Sequence, residues 1–123
     1  MQRVHQVLFM VSVAVLSWLS MMALHELGHV VGAYLTGGGV ERVVLQPFSI
    51  SRTDVSPNPH PAIVVWLGPV FGCLIPLAIC AVVPRSRARL RKIAHFIAGF
   101  CLIANGAYDL IKGLRRCYYA SKW

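Results

Sequence analysis

Apolar residues run almost unbroken from Val7 to Leu35, from Pro61 to Val83 and from Ile93 to about Ile111, with polar connectors between them. A helix needs about 20 apolar residues to cross the hydrocarbon core of a bilayer. The second and third runs fit one crossing each. The first is longer than a crossing requires, so part of it must tilt, protrude or lie along the interface. The pattern predicts a membrane all-α fold of three transmembrane helices, at about 7–35, 61–83 and 93–112.

The first connector reads TGGGVERVVLQPFSISRTDVSPNPHP. Gly37, Gly38 and Gly39 end the first helix, because three glycines do not sustain one. Val43 to Ile50 is rich in β-branched and aromatic residues and is broken by Pro47. It predicts a short β-strand or hairpin between the first and second helices, or else a connector lying on the membrane surface. Pro57, Pro59 and Pro61 make a stiff, extended approach to the second helix. PRSRARLRK, residues 84–92, predicts a short basic connector. Neither an internal repeat nor a low-complexity tract interrupts this plan.

Composition sharpens the class. At 123 residues the chain makes a single membrane-embedded domain over 1–123, and 57% hydrophobic against 13% charged residues is too apolar for a soluble domain of this size. The formal charge of +8 would suggest nucleic acid in a soluble protein. Here the basic residues cluster beside apolar runs and no aromatic-basic groove appears. Contact with the anionic headgroups of the lipid bilayer is expected instead, and no nucleic acid. Cys73, Cys80, Cys101 and Cys117 form no CxxC pair, and those inside apolar runs read as small hydrophobes. The opening MQRVHQVLFMVSVAVLSWLSMMA also fits a signal peptide with Arg3 as its basic end. Its apolar stretch is long for that purpose and no small-x-small site follows, so retention is expected.

Inside the first apolar run stands LHELGHVV, residues 24–31. Ionisable groups at membrane depth are costly and default to function. HELGH matches HExxH: His25 and His29, four apart, share one helix face and can direct imidazole nitrogens at one ion. Glu26 sits beside them, where a carboxylate can take a proton from water at the metal. Shuffling this composition gives about 0.003 expected matches to the pattern. The bland alternative is a pair of structural histidines, which leaves the buried carboxylate unexplained. A catalytic Zn2+ takes three protein ligands and keeps one position open. The only other carboxylates are Glu41 and Asp54 in the connector and Asp109 near the end of the third run. Asp109 is the one that a third membrane helix can offer, or else a helix-end charge paired with Lys112 or Arg116. His60 and His95 are weaker candidates. His95 lies about 21 Å along the helix from Asp109, too far to share an ion.

The sequence resembles the site-2 protease family of intramembrane zinc metallopeptidases. The resemblance rests on HELGH in an apolar helix followed by AYLTGG and VERVVLQ, on LGPVFG at 67–72, and on ANGAYDL at 104–110. It covers most of residues 14–111 and is most specific at HELGH. The family's third helix usually carries Asn, then Pro, then Asp-Gly. Here Asn105 and Asp109 are four apart with no proline between, and Leu110 stands in place of Gly. Many relatives also continue beyond the position of Trp123, so the expectation is a short or truncated member. The resemblance implies zinc held by His25, His29 and Asp109, with Glu26 as the catalytic base in peptide-bond hydrolysis. It implies a membrane-spanning protein substrate, locally unwound and held by strand addition at Val43 to Ile50. Asn105 would orient Asp109 or the substrate backbone. Gly68, Pro69 and Gly72 would let the second helix pack closely on the first without supplying chemistry.

Two functions remain open at this stage: an intramembrane zinc endopeptidase, and a catalytically inactive remnant or membrane scaffold that keeps the metal-site helix. A multi-pass protein of the cell membrane is expected, of unstated oligomeric state. Six Lys/Arg fall on each side of a three-span topology, so the positive-inside rule gives a tie. The family arrangement would put the strand and the C-terminus in the cytoplasm.

Overall fold

The structure, a computed structural model, describes the backbone of residues 1–49 and 51–120 and the side chains of residues 1–49 and 51–111. Helix α1 spans Gln2–Leu35, strands β1 and β2 span Val40–Val44 and Arg52–Val55, and helices α2 and α3 span Pro61–Val82 and Ala88–Ala120. All three helices are long and apolar enough to cross a membrane, α3 over Ala88–Ile111. The expected three-helix architecture with a hairpin after the first helix is therefore the one observed.

Helix α1 begins at Gln2 rather than near Val7, and at 34 residues it is about 51 Å long. Residues 1–12 are exposed throughout, and Ser17 is the first buried position. The excess length thus projects beyond the helix bundle with Phe9, Met10 and Val11 bare. Its C-terminus closes as a Schellman motif. Gly37 takes φ +75, Gly38 N–H donates to Ala33 O at 2.8 Å, and Gly37 N–H donates to Tyr34 O at 3.3 Å. Helix α3 starts inside the expected basic connector, because Ala, Arg, Leu and Lys are all good helix formers.

The hairpin is formed by other residues than Val43 to Ile50 alone. Pro47 cannot donate to a ladder, so Leu45 to Ser49 stand outside the sheet and RTDV supplies the second strand. The strands are antiparallel, with Arg42 opposite Asp54 and Val43 opposite Thr53. A bulge at Glu41 lets that side chain reach a cavity lining. The hairpin folds back along α1. Trp18 Nε1 donates to Pro47 O at 2.9 Å, about 26 Å along the helix from Leu35. Tyr108 Oη donates to Ser51 O at 2.7 Å, and Ser51 is fully buried. The connector is therefore packed against α1 and α3 at the depth of the helices, rather than laid across their ends.

The interior is small and partly polar, while Leu27, Trp66, Leu74 and Ile103 face outward. This is the arrangement expected when lipid covers the outside. Met21, Met22 and Cys101 form the buried cluster, flanked by Trp18, Ile97 and Ala104. The α1–α2 contact is set by two α1 glycines spaced four apart, Gly28 and Gly32. A Cβ at Gly28 would strike Leu67 O, and one at Gly32 would sit 3.0 Å from Val64 Cα. Small residues here let the two backbones touch.

Candidate metal centre

Helix α1 turns once between His25 and His29, so the donors of His25, Glu26 and His29 come within 4.8 Å of one another. His25 and Glu26 are each 1% exposed. The two imidazole centroids stand 4.8 Å apart with the rings near perpendicular at 80°. Tyr108 packs edge-on against His25 at 5.1 Å.

Each imidazole is fixed by an oxygen acceptor on another helix. Asn105 Nδ2 donates to Cys101 O at 2.8 Å, which turns its Oδ1 toward α1. His25 Nδ1–H donates to that Oδ1 at 2.8 Å. His29 Nδ1–H donates to Val64 O at 2.7 Å. Both acceptors demand the Nδ1-protonated tautomer, which puts each ring's lone pair on Nε2. Asn105 therefore meets His25, not Asp109 or an open groove. Gly68 makes room for the His29 ring, since a Cβ there would collide with Cε1 and Nε2. Gly72 does the same for Asn105, whose Nδ2 would lie 2.6 Å from an added Cβ. The glycines of LGPVFG thus shape the site as well as the helix contact.

Glu26 is held from the hairpin. Thr53 Oγ1 donates to Glu26 Oε2 at 2.7 Å. The other oxygen, Oε1, is buried and has no hydrogen-bond partner among the described residues. A buried carboxylate oxygen left in this way is costly unless a cation or proton donor comes to it. Two imidazole nitrogens and a carboxylate are a donor set that suits zinc. The residues fit the ion.

The two imidazoles line a cavity of about 950 Å³ together with Thr53, Asn58, Trp66 and Asp109, while Glu26 lies buried beside them. Asp109 lies on this cavity but outside the tight three-residue group. Lys112 and Arg116, the alternative partners expected for it, fall outside the described side chains, as does Cys117. His60 precedes α2 and His95 bonds Arg91 O on its own helix, so neither joins the group. Sequence reasoning missed Thr53, the Val64 carbonyl and Asn58, whose Oδ1 is buried without a partner among the described residues. A threonine or asparagine in a connector carries no spacing signal that would single it out.

The Peptidase M50B-like family model matches residues 3–107. The chain belongs to that family. It is the site-2 protease family whose motifs the sequence resembles, and the match spans α1, the hairpin, α2 and most of the apolar part of α3. Peptidase M50B-like proteins are membrane peptidases that use zinc, and the His25–Glu26–His29 cluster is compatible with that ion. With three helices able to cross a bilayer, this member is an integral membrane protein. No curated protein and no solved structure matches the chain.

Proposed function

We propose that the chain is an intramembrane zinc metalloendopeptidase of the cell membrane that hydrolyses peptide bonds of membrane-spanning protein substrates. The observation that carries this reading is the buried Glu26 carboxylate, pinned at Oε2 by Thr53 and without a hydrogen-bond partner at Oε1 among the described residues, beside two imidazoles that share one tautomer. His25 and His29 would hold zinc through Nε2, and Asp109, one helical turn beyond the Asn105 that supports His25, would be the third protein ligand. When bound, the ion supplies Lewis-acid polarisation of the scissile carbonyl and of water.

The chain's own residues do the rest. Glu26 Oε1 takes the proton of the attacking water and returns it to the leaving amine. Thr53 keeps the carboxylate from rotating away. A substrate helix hides its carbonyls in its own hydrogen bonds and must unwind locally before attack. Strand β2 supports this need: Arg52, Thr53, Asp54 and Val55 line the cavity, and β2 pairs with β1 alone among the described residues. An unwound segment added along β2 runs past the histidines, with its backbone N–H groups satisfied by strand carbonyls. Asn58 Oδ1 offers a further acceptor on the same wall.

The deciding experiment is Glu26→Gln, assayed for zinc content and for cleavage of a reconstituted transmembrane substrate. Gln keeps the side chain's size and removes its basicity. Zinc should stay stoichiometric while cleavage falls by about 10² to 10⁴-fold or more. If wild type and variant cleave alike, or wild type cleaves no member of a broad substrate panel, the chain is a metal-binding scaffold and the enzyme reading fails.

A further inference from the structure

Five cations, Arg85, Arg87, Arg89, Arg91 and Lys92, crowd into eight consecutive positions where α2 gives way to α3. Among the described residues no carboxylate pairs with them. The four acidic residues of the chain are Glu26, Glu41, Asp54 and Asp109, and none lies in this turn. Among the described residues the ion pairs join Arg42 and Arg52 to Asp54, at 3.5 and 3.4 Å, so the hairpin's cations are compensated. Those of the α2–α3 turn are not. A block of like charge in this state attracts a multivalent or membrane-bound anion.

The turn also has a shape. Arg85, Arg91, Lys92 and His95 line a cavity of about 380 Å³ with Ala88, and Arg91 is half-buried in it. Position fixes the depth: the cavity is lined by Arg85 of the α2–α3 turn and by the first two turns of α3, at the end where both membrane-spanning helices meet the interface. Directly along α3 from Lys92 come Phe96 and Phe100, each four residues on and so on the same face. Their rings stack at a centroid distance of 6.4 Å, and Phe96 is half exposed. The surface therefore reads cation first, then aromatic, in the direction from headgroup to acyl chain.

We propose that this cavity binds the phosphate headgroup of an anionic phospholipid, with an acyl chain lying along Phe96 and Phe100. Charge complementarity selects an anion, interfacial depth selects a lipid, and the aromatic pair covers apolar tail. The site is remote from the histidines and stands apart from the peptidase reading.

Native mass spectrometry of the detergent-solubilised full chain with added phosphatidylglycerol or phosphatidylcholine tests it. Wild type should retain one phosphatidylglycerol and discriminate against phosphatidylcholine. At about fivefold per cation, Arg91→Gln/Lys92→Gln should weaken phosphatidylglycerol binding roughly thirtyfold. Arg42→Gln/Arg52→Gln removes the same charge from the hairpin and should leave binding unchanged. Equal retention of both lipids, or undiminished binding by the Arg91/Lys92 variant, overturns the proposal. So does displacement of the lipid by inorganic phosphate at millimolar concentration, which would make this a site for free phosphate.

Discussion

Thr53 Oγ1 and Glu26 Oε2 lie 2.7 Å apart, which ties the hairpin to the carboxylate beside the histidines. A charged acceptor makes this bond worth more than a neutral one. It also leaves Glu26 one unpaired oxygen instead of two among the described residues, which fixes the rotation of the carboxylate. Thr53→Val keeps the branched shape and deletes the donor. On the proposed mechanism it should retain zinc and lower kcat by about 10- to 100-fold, with KM little changed. Thr53→Ser, which keeps the hydroxyl, should recover most of the rate. Equal kcat in all three proteins would show that the bond does not position Glu26.

Asn105 fixes His25 through Nδ1, and its own amide is fixed by Cys101 O. Partners of this kind set ligand tautomer and orientation, and their loss typically costs about 10- to 100-fold in metal affinity. Asn105→Leu should weaken zinc by that order in a competition titration against a chelator. Asn105→Asp restores an acceptor and should bind at least as tightly as wild type. A wild-type affinity for Asn105→Leu would assign Asn105 to helix packing alone.

Gly68 has no room for a methyl group, because His29 occupies the space a Cβ would take. The opposing atoms belong to a ring anchored at Val64 O, so they cannot yield as a flexible chain end would. Gly68→Ala should either displace His29 and strip the zinc or cost about 1–3 kcal/mol in stability. Gly99→Ala is the control, since nothing lies within 4 Å of an added Cβ there. Zinc content and thermal melting measured on both variants decide it. Identical behaviour would mean that α2 moves away from α1 more easily than its glycine contacts imply.

Much of this was legible in the sequence, and what escaped had a common cause. HELGH could be read because both ligands sit on one helix, where a spacing of four is a statement about geometry. The Gly37–Gly39 stop could be read because its requirement is local. The hairpin was misplaced because β-propensity favours Val43 to Ile50, while Pro47 and the pairing partner 52–55 decide the register. Contacts that complete the site join residues 27 and 80 positions apart, Thr53 to Glu26 and Asn105 to His25. No spacing rule reaches across such separations. The sequence marks Gly68 and Gly72 as helix-packing residues, and their second role appears only once the side chains facing them, His29 and Asn105, are known.

The third zinc ligand can be tested by a reciprocal pair of variants. Asp109 lines the cavity of His25 and His29 but stands outside their tight group, whereas Glu26 is inside it. If Asp109 is the ligand and Glu26 the base, the two carboxylates should respond oppositely to loss of charge. Asp109→Asn then lowers zinc affinity by about 100-fold or more, because two imidazoles alone leave the ion under-coordinated. Glu26→Gln leaves affinity within a few-fold of wild type and removes the rate instead. Should the effects be exchanged, with zinc lost in Glu26→Gln and kept in Asp109→Asn, Glu26 is itself the third ligand. The hydrogen bond from Thr53 would then serve to orient a ligand, and the chain would lack the base that hydrolysis needs. Cobalt-substituted protein adds a readout that activity cannot confuse, since loss of a carboxylate ligand changes the visible absorption of the ion. The expected result is a changed spectrum for Asp109→Asn and an unchanged one for Glu26→Gln.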